Sequence, residues 1–204
     1  MTLLLDNPSH TVLDGALGTV RYFPDCVPAE LARQWFDALI DGVRWASYRR
    51  QMYDREVDVP RLVATFDLDA DDVPQPIRDA RAIAERLGSH RYNSVGVNRY
   101  RDGNDSVAPH NDKLDGLVKG APIALLSLGD TRRFVMHTKS VPRRRLQLDL
   151  AAGSLLLMSY DTQLHLLHGV PKSRTPVGPR ISLAFRDRPT SQRPHACAGG
   201  GGAR

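Results

Sequence analysis

The chain is organised around the stretch Asn98-Arg-Tyr-Arg-Asp-Gly-Asn-Asp-Ser-Val-Ala-Pro-His-Asn-Asp112, which ends in a His-x-Asp pair. Alternate residues of an extended strand point to the same face, so His110 and Asp112 can direct an imidazole and a carboxylate at one point. A candidate third ligand, His168, follows in the segment Leu-Leu-His-Gly-Val-Pro. Two histidines and one carboxylate on one face leave coordination positions open, which suits non-haem Fe(II) chemistry with O2. The spacing therefore predicts a metal site at His110, Asp112 and His168.

Two histidines compete for the third ligand position. His165 and His168 lie three residues apart, so an extended strand would place them on opposite faces. We favour His168, which precedes Gly-Val-Pro, and expect His165 to pack nearby instead.

The composition is that of an ordinary globular protein with a basic balance. The chain has 204 residues, a net charge of +5 and a pI of about 9.5. A basic chain fits a polyanionic partner such as nucleic acid, and it also fits a soluble protein with no such partner. Its two cysteines, Cys26 and Cys197, lie far apart, which argues against a disulfide framework and for a reducing compartment.

The N-terminal residues lack the basic start and long apolar core of a signal peptide. No run approaches the roughly 20 apolar residues of a membrane span. We therefore expect a cytoplasmic protein with no membrane partner, and we expect it to be a monomer.

The periodicity of apolar residues divides the chain into a helical part and a strand part. Helical spacing predicts two helices, at 28–43 and 75–87. After residue 87 the period changes to two, and turn signals separate eight short strand candidates: 94–100, 107–112, 123–128, 133–138, 145–150, 154–160, 164–168 and 180–186. This order predicts an α+β, mainly β, fold: a double-stranded β-helix (jelly roll) with both helices packed on one outer face. We expect a single domain at 1–187, with its core at about 90–187, and a disordered tail at 188–204.

Two strand candidates carry polar residues on one face. Asn98 and Tyr100 share a face of 94–100, either lining a polar interior or forming a satisfied polar pair. In 180–186, Arg180, Ser182 and Arg186 share a face, and the apolar residues between them are expected to pack in the layer between two sheets. A buried arginine needs an anion, which a guanidinium can bind through two hydrogen bonds. Solvated arginines on an edge strand are the alternative.

In this order the residues resemble the AlkB family of Fe(II)/2-oxoglutarate dioxygenases. The resemblance covers roughly residues 57–187, and its motifs are Val-Pro-Arg61, Asn98-x-Tyr100, Asp-Gly103, Asp105, His110-x-Asp112, Gly129 with Arg132 and Phe134, Ala-Gly-Ser-Leu-Leu-Leu-Met158, His168 and Arg180-x5-Arg186.

The resemblance implies a role for each matched residue. His110, Asp112 and His168 would bind Fe(II). Arg180 would pair with the distal carboxylate of 2-oxoglutarate, while Asn98 and Tyr100 would also contact this cosubstrate. Arg186 would lie close to the site, and Ser182 stands where an Asn is common between the two arginines. The family uses O2 to oxidise an alkyl group on a nucleic-acid base, and an oxidised N-methyl group leaves as formaldehyde.

Two departures from the family pattern concern the substrate. Leu114 stands where the family often has a second acidic residue that contacts the damaged base, and Asp115 would point to the opposite face if the strand continued. An acidic run follows Phe66, at the place of an aromatic-rich segment. A cationic base loses more than a neutral one when a carboxylate is absent. The sequence thus predicts weak repair of cationic N-methyl bases relative to neutral etheno adducts.

Three functions remain open on the sequence. The first is dealkylation of nucleic-acid bases, for which the basic clusters 49–50, 132–133 and 143–145 are candidate phosphate contacts. The second is the same oxygenase chemistry on a small molecule or a protein. The third is a non-catalytic jelly-roll binding module.

Overall fold

The computed structural model describes residues 9–47, 49–52 and 55–194. Their strands, in chain order, are β1 (His10–Leu13), β2 (Val20–Phe23), β3 (Arg49–Met52), β4 (Arg55–Asp58), β5 (Leu62–Asp67), β6 (Ser94–Tyr100), β7 (Val107–His110), β8 (Ile123–Gly129), β9 (Arg132–Thr138), β10 (Arg145–Leu150), β11 (Leu155–Met158), β12 (Leu166–Val170) and β13 (Arg180–Arg186). The α-helices are α1 (Ala29–Gly42), α2 (Gln75–Gly88) and α3 (Tyr160–His165).

Two antiparallel sheets form the body of the protein. The larger has seven strands in the order β1-β2-β11-β8-β13-β6-β5, and the smaller has four in the order β10-β9-β12-β7. One apolar cluster joins the sheets, with Leu125 and Ala184 from the larger sheet packed with Phe134, Met136 and Leu166 from the smaller. Strands β3 and β4 form a separate two-stranded ribbon. This is the jelly-roll architecture that the sequence predicted.

Helices α1 and α2 cover the outer face of the larger sheet, as expected from their spacing. Each begins directly after a proline, whose fixed φ suits the start of a helix. In α1 the buried residues are Ala32, Trp35 and Leu39, at helical spacing. Helix α2 ends where Ser89 adopts a left-handed conformation, with φ of 48°. The two helices thus turn one apolar stripe each toward the sheet.

The alternation in β13 predicts its two faces correctly. The apolar face, however, packs against a different layer from the one expected. Ile181, Leu183 and Phe185 pack against the helices, and not in the layer between the sheets. Truncating a fully buried aromatic such as Phe185 to Ala typically costs about 3–5 kcal/mol. Because the apolar face is taken by the helices, the face that carries Arg180 is directed between the two sheets.

The strand expected at 107–112 is shorter than predicted, and the strand expected at 164–168 is displaced by two residues toward the C-terminus. Strand β7 ends at His110, so Asp112 lies in the following loop, and Leu114–Gly116 form a single turn of 3-10 helix. The segment up to His165 is helical, and strand β12 begins only at Leu166. His165 is therefore separated from His168 by a change of secondary structure rather than by strand alternation.

The described part of the chain continues past the predicted domain boundary at residue 187. The backbone N–H of Arg188 donates to Oδ1 of Asn93, and Nε2 of Gln192 donates to the carbonyl oxygen of Asp115. Thr190–Gln192 form a 3-10 turn. The rest of the expected tail, 195–204, lies outside the described residues. Among the described helices, none has the length and apolarity needed to cross a membrane.

Candidate active site

A cavity of about 540 Å³ opens between the two sheets. Strands β6 and β13 supply one wall, and strands β7 and β12 supply the facing wall. All the residues assigned to the metal or to the cosubstrate line this one cavity: Asn98, Tyr100, His110, Asp112, His168, Arg180, Ser182 and Arg186. The structure therefore brings the candidate ligands of the metal and of the cosubstrate together.

The two histidines face each other across the β7–β12 pairing. His110 and His168 are register partners, and their ring centroids lie 4.6 Å apart. His168 is buried and stacked on Phe134, and its Nδ1 has no hydrogen-bond partner. Burial lowers the pKa of His168 to about 3, which keeps the imidazole neutral. A neutral imidazole with an unengaged nitrogen is the form that binds a metal.

The second histidine is oriented by the backbone. His110 is exposed, and its Nδ1 lies 3.0 Å from the carbonyl oxygen of Ala108. If Nδ1–H donates to this carbonyl, the lone pair of Nε2 is free for a ligand, which is the usual arrangement of metal-binding histidines.

The carboxylate of Asp112 is engaged by Arg186. Nε and Nη2 of Arg186 donate to its two oxygens at 3.0–3.1 Å. Burial raises the pKa of Asp112, but the charge and hydrogen bonds of Arg186, together with the two neighbouring histidines, outweigh burial and hold the pKa below its ordinary value, so the group is an anion. Because the carboxylate is turned to Arg186, no three potential metal-ligating side chains converge on one point within the described residues.

Gln163 holds the backbone of Asp112, a role that no sequence pattern predicted. The Asp112 N–H donates to Gln163 Oε1 at 3.0 Å, although the two residues are 51 positions apart. The Gln163 side chain is fully buried and donates to the hydroxyl of Thr162. From the other side, Lys139 Nζ donates to the Gln163 carbonyl oxygen at 2.8 Å. A polar residue buried in a short helix is the only local hint of this contact.

Arg180 is a buried cation with free donors. Its side chain is 0% exposed, Nη2 donates to Ser127 Oγ at 2.8 Å, and the guanidinium carbon lies 5.2 Å from the centre of the Tyr100 ring. Nε and Nη1 have no partner. Burial lowers the pKa of Arg180, since desolvation penalises the charged form. A buried guanidinium with two open donors is expected to bind an anion.

Around Arg180 the floor of the cavity is polar. Ser182 pairs in register with Asn98 on one side and with Ser127 on the other. Arg61 donates from Nε to Oδ1 of Asn98 at 2.8 Å. Asn98 and Tyr100 therefore face the interior, as the strand alternation predicted.

Two features proposed for substrate contact are placed differently from the expectation. Arg132 is buried and donates to the backbone carbonyls of Asp102, Asp105 and Pro171, so it braces loops and cannot contact phosphates. Leu114 and Asp115 do not line the cavity, because the chain has left the strand before them.

The remaining residues proposed as phosphate contacts are Arg133 and the clusters at 49–50 and 143–145. The cluster at 143–145 is exposed, and the side chains of 49–50 lie outside the described residues. Arg133 is ion-paired with Asp149 on the surface.

Comparison with known proteins agrees with this geometry. The sequence model of the 2OG-Fe(II) oxygenase superfamily matches residues 19–186. The chain belongs to this superfamily. A solved structure titled "The structure of OsALKBH1" superposes with a TM-score of 0.60 at 17% identity, covering 89% of this chain and 100% of that one, which shows the shared fold.

Within the superfamily the chain belongs to the AlkB family. It is 30% identical over 218 residues to DNA oxidative demethylase ALKBH2 of Arabidopsis thaliana, covering 88% of this chain and 69% of that protein. It is 41% identical over 110 residues to the protein of the same name from Bos taurus, covering 50% of this chain and 40% of that protein. The chain thus spans less than half the length of the bovine relative. Members of this superfamily use Fe(II) as the cofactor, with 2-oxoglutarate and O2 as cosubstrates.

Proposed function

We propose that this protein is an Fe(II)- and 2-oxoglutarate-dependent dioxygenase that removes alkyl groups from nucleic-acid bases. The observation that carries the proposal is the buried Arg180, whose two unpaired donors lie in the same cavity as His110, Asp112 and His168. The cavity therefore offers hydrogen-bond donors for an anion and potential ligands for a metal. A non-catalytic binding module would have no need of this combination.

The floor of the cavity suits the cosubstrate. Arg180 would hold the distal carboxylate of 2-oxoglutarate through Nε and Nη1, while Ser127 fixes the guanidinium from behind. Asn98, Tyr100 and Ser182 would border the same molecule. When bound, iron and 2-oxoglutarate supply the O2-dependent oxidation of a C–H bond in the alkyl group. The protein contributes binding, orientation and the exclusion of water.

The rim of the cavity suits the metal. His168 offers an unpartnered Nδ1, and His110 is oriented by the Ala108 carbonyl. Asp112 would complete the set when its carboxylate turns from Arg186, which would then remain beside it and neutralise part of its charge. Two histidines and one carboxylate form the facial triad of Fe(II) oxygenases.

A nucleic-acid substrate is supported by the relatives and by charge. Two relatives bear the name DNA oxidative demethylase, and the chain has a net charge of +5. An enzyme of this kind must act on a single strand or on a base flipped out of the duplex. The exposed arginines at 143–145 are available for phosphates. We expect it to work as a cytoplasmic monomer, in keeping with the buried free thiol of Cys26.

A small-molecule or protein substrate is the second candidate. It is favoured by the acidic segment after Phe66, since carboxylates repel phosphates at close range. That segment is partly neutralised, because Asp69 forms ion pairs with Arg81 and Arg193. The first candidate therefore remains the better supported.

Product release tests the proposal. Succinate and formaldehyde are measured with a methylated single-stranded oligonucleotide, with the unmethylated strand and with no strand. We expect formaldehyde and extra succinate only with the methylated strand, and neither from the His168→Ala variant. If iron and 2-oxoglutarate bind but no oligonucleotide raises succinate release, the substrate is not a nucleic acid.

Succinate release in the same assay tests the prediction about the type of lesion, because the two-carbon bridge of an etheno adduct leaves as glyoxal and not as formaldehyde. We expect ethenoadenine to be turned over faster than 1-methyladenine in the same strand, because Asp112 is the only carboxylate among the described residues that line the cavity. One charge-assisted hydrogen bond is worth about 1.5–3 kcal/mol, or roughly ten- to a hundredfold in rate. Faster turnover of 1-methyladenine by the unaltered protein would refute this prediction.

A further inference from the structure

A second, smaller cavity of about 190 Å³ adjoins the active site. It lies between the loop after β7 and the segment after β13, and its lining includes Lys113, Gly116, Leu117 and Gln192. Three further residues, Asp112, Arg186 and Arg188, line both cavities, which are therefore contiguous. The charged side chains of the smaller cavity are three cations and one carboxylate. That carboxylate, Asp112, is already hydrogen-bonded to Arg186.

Arg188 is held firmly in place at the junction of the two cavities. Asn93 and Arg188 exchange hydrogen bonds: Asn93 Nδ2 donates to the Arg188 carbonyl, and the Arg188 N–H donates to Asn93 Oδ1, both at 2.9 Å. Asn93 also donates to the Asp187 carboxylate at 2.7 Å. The guanidinium itself is steadied at 3.2 Å by the carbonyl of Gly116, where a side chain would crowd it. A cation fixed in this way cannot swing freely into solvent.

The charge of Arg188 is unbalanced within the described part of the chain. Its neighbours in the fold differ: Arg186 is paired with Asp112, and Arg193 with Asp69. No described carboxylate forms an ion pair with Arg188, whose only guanidinium hydrogen bond runs to the backbone. Burial lowers the pKa of Arg188, the charge of Arg186 adds to this effect, and Asp112 opposes it. An arginine remains protonated all the same, so the site holds a positive charge that lacks a counterion.

We propose that the smaller cavity is a phosphate-binding subsite, in which Arg188 binds a backbone phosphate of the substrate strand. This inference rests on the proposed function. A flipped base brings its own phosphates to the mouth of the pocket that receives it, and the two cavities here share a wall. The planar guanidinium matches the oxygens of a phosphate, and Lys113 adds a second cation beside it. Arg188 therefore positions the strand, whereas the main cavity holds the reacting group.

The salt dependence of binding tests this subsite. Fluorescence anisotropy is measured for a methylated single-stranded oligonucleotide and the protein loaded with Mn(II) and 2-oxoglutarate, over about 50–200 mM salt. We expect Arg188→Gln to weaken binding about tenfold at low salt, and to reduce the slope of log K against log salt by about 0.7, the value for one phosphate of a single strand. Arg188→Lys should keep the slope.

The control is Arg33→Gln, because Arg33 is exposed on α1, paired with Glu30, and lines neither cavity. It should leave both affinity and slope unchanged. Melting temperatures of all variants identify any loss of folding, and Gln was chosen because it keeps a donor for the Gly116 carbonyl.

Two results would overturn the subsite while the proposed function stands. One is an unchanged slope for Arg188→Gln when the unaltered protein still demethylates the strand. The other is an unchanged slope with an altered ratio between neutral and cationic lesions, which would mean that Arg188 faces the base. Failure of every alkylated strand, methylated or etheno-modified, to raise succinate release by the unaltered protein would instead overturn the proposed function, and the subsite with it.

Discussion

The floor and the rim of the active-site cavity are built in different ways. The floor is the polar surface around Arg180. Its residues Arg180, Ser127 and Tyr100 lie within the strands of the larger sheet and are almost completely buried. The rim consists of a buried His168 within β12, an exposed His110 at the end of β7 and an Asp112 in the loop beyond it. The floor has donors open for an anion, whereas the rim carboxylate is occupied by Arg186.

This difference teaches which half of the site is preorganised. A strand fixes the direction of its side chains, and a neighbouring strand prevents their movement, so Arg180 is ready for a carboxylate without rearrangement. Two of the metal ligands, His110 and Asp112, lie on less constrained backbone, and the salt bridge of Asp112 must be loosened before the three can meet. We therefore expect cosubstrate binding to depend on single rigid contacts, and metal binding to depend on what positions the loop.

The largest effect is expected from the rim ligand that is itself rigid. His168→Ala should weaken Fe(II) or Mn(II) binding by more than about a hundredfold, because losing a ligand costs more than the 10–100-fold seen for an outer partner. His165→Ala is the matched control, since His165 is exposed on α3. Equilibrium dialysis of the metal measures both. A loss of binding in the His165 variant, with His168→Ala unaffected, would reverse the ligand assignment.

The next effect concerns the floor. Arg180→Met should raise the apparent Kd for 2-oxoglutarate by roughly ten- to a hundredfold. A charge-assisted hydrogen bond contributes about 1.5–3 kcal/mol, and each 1.4 kcal/mol is tenfold in Kd. Metal affinity should stay the same. Calorimetry with Mn(II)-loaded protein gives both constants.

Ser127→Ala is the comparison for the floor, because it removes only the support behind the guanidinium. Its effect should be smaller than that of Arg180→Met. An unchanged Kd for 2-oxoglutarate in the Arg180 variant would mean that the cosubstrate binds elsewhere.

Variants of Gln163 test whether the loop that carries Asp112 must be held in place for metal binding. Gln163→Leu removes the acceptor of the Asp112 N–H, so metal affinity should fall about tenfold, the lower end of the range for outer partners. Binding of 2-oxoglutarate to the metal-loaded protein should change much less. Gln163→Glu keeps an acceptor oxygen and should restore most of the metal affinity. Equal losses of both affinities would indicate a general loss of packing.

The smallest effect is on stability and concerns the neutral state of His168. Its pKa is about 3 in the folded chain against 6.5 for an unperturbed histidine, so between these values the unfolded chain binds a proton that the folded chain does not. The metal-free protein should therefore lose stability as the pH falls below 6.5, by up to about 1.4 kcal/mol per pH unit from this group. Urea unfolding at pH 7 and pH 5.5 should show a shallower dependence for His168→Gln. An identical dependence would mean that His168 titrates normally.

Strand periodicity made the floor predictable, and its limits explain what was missed. Alternation placed Asn98 and Tyr100 on one face of β6, and Arg180 and Ser182 on one face of β13, because a strand has a fixed period of two. Periodicity does not say which layer covers a face, so the residues between Arg180 and Arg186 were assigned to the wrong neighbour.

Contacts between distant loops leave no periodic signal. The hydrogen bond from Asp112 to Gln163 joins residues 51 positions apart, and the clamp between Asn93 and Arg188 joins residues 95 apart. The two ends of the short helix before β12, residue 160 and residues 164–165, were likewise predicted as strand, since a short apolar run is compatible with either structure. These contacts position the rim, and the rim was therefore the less predictable half of the site.

A crystal structure with Mn(II) and 2-oxoglutarate, determined without O2, tests the central claim most directly. The account predicts that Arg180 keeps its position and donates from Nε and Nη1 to the distal carboxylate. It also predicts that the Asp112 carboxylate turns from Arg186 to join His110 and His168 on the metal. A metal bound by other residues, or a 2-oxoglutarate whose carboxylate leaves both donors of Arg180 unpaired, would contradict it.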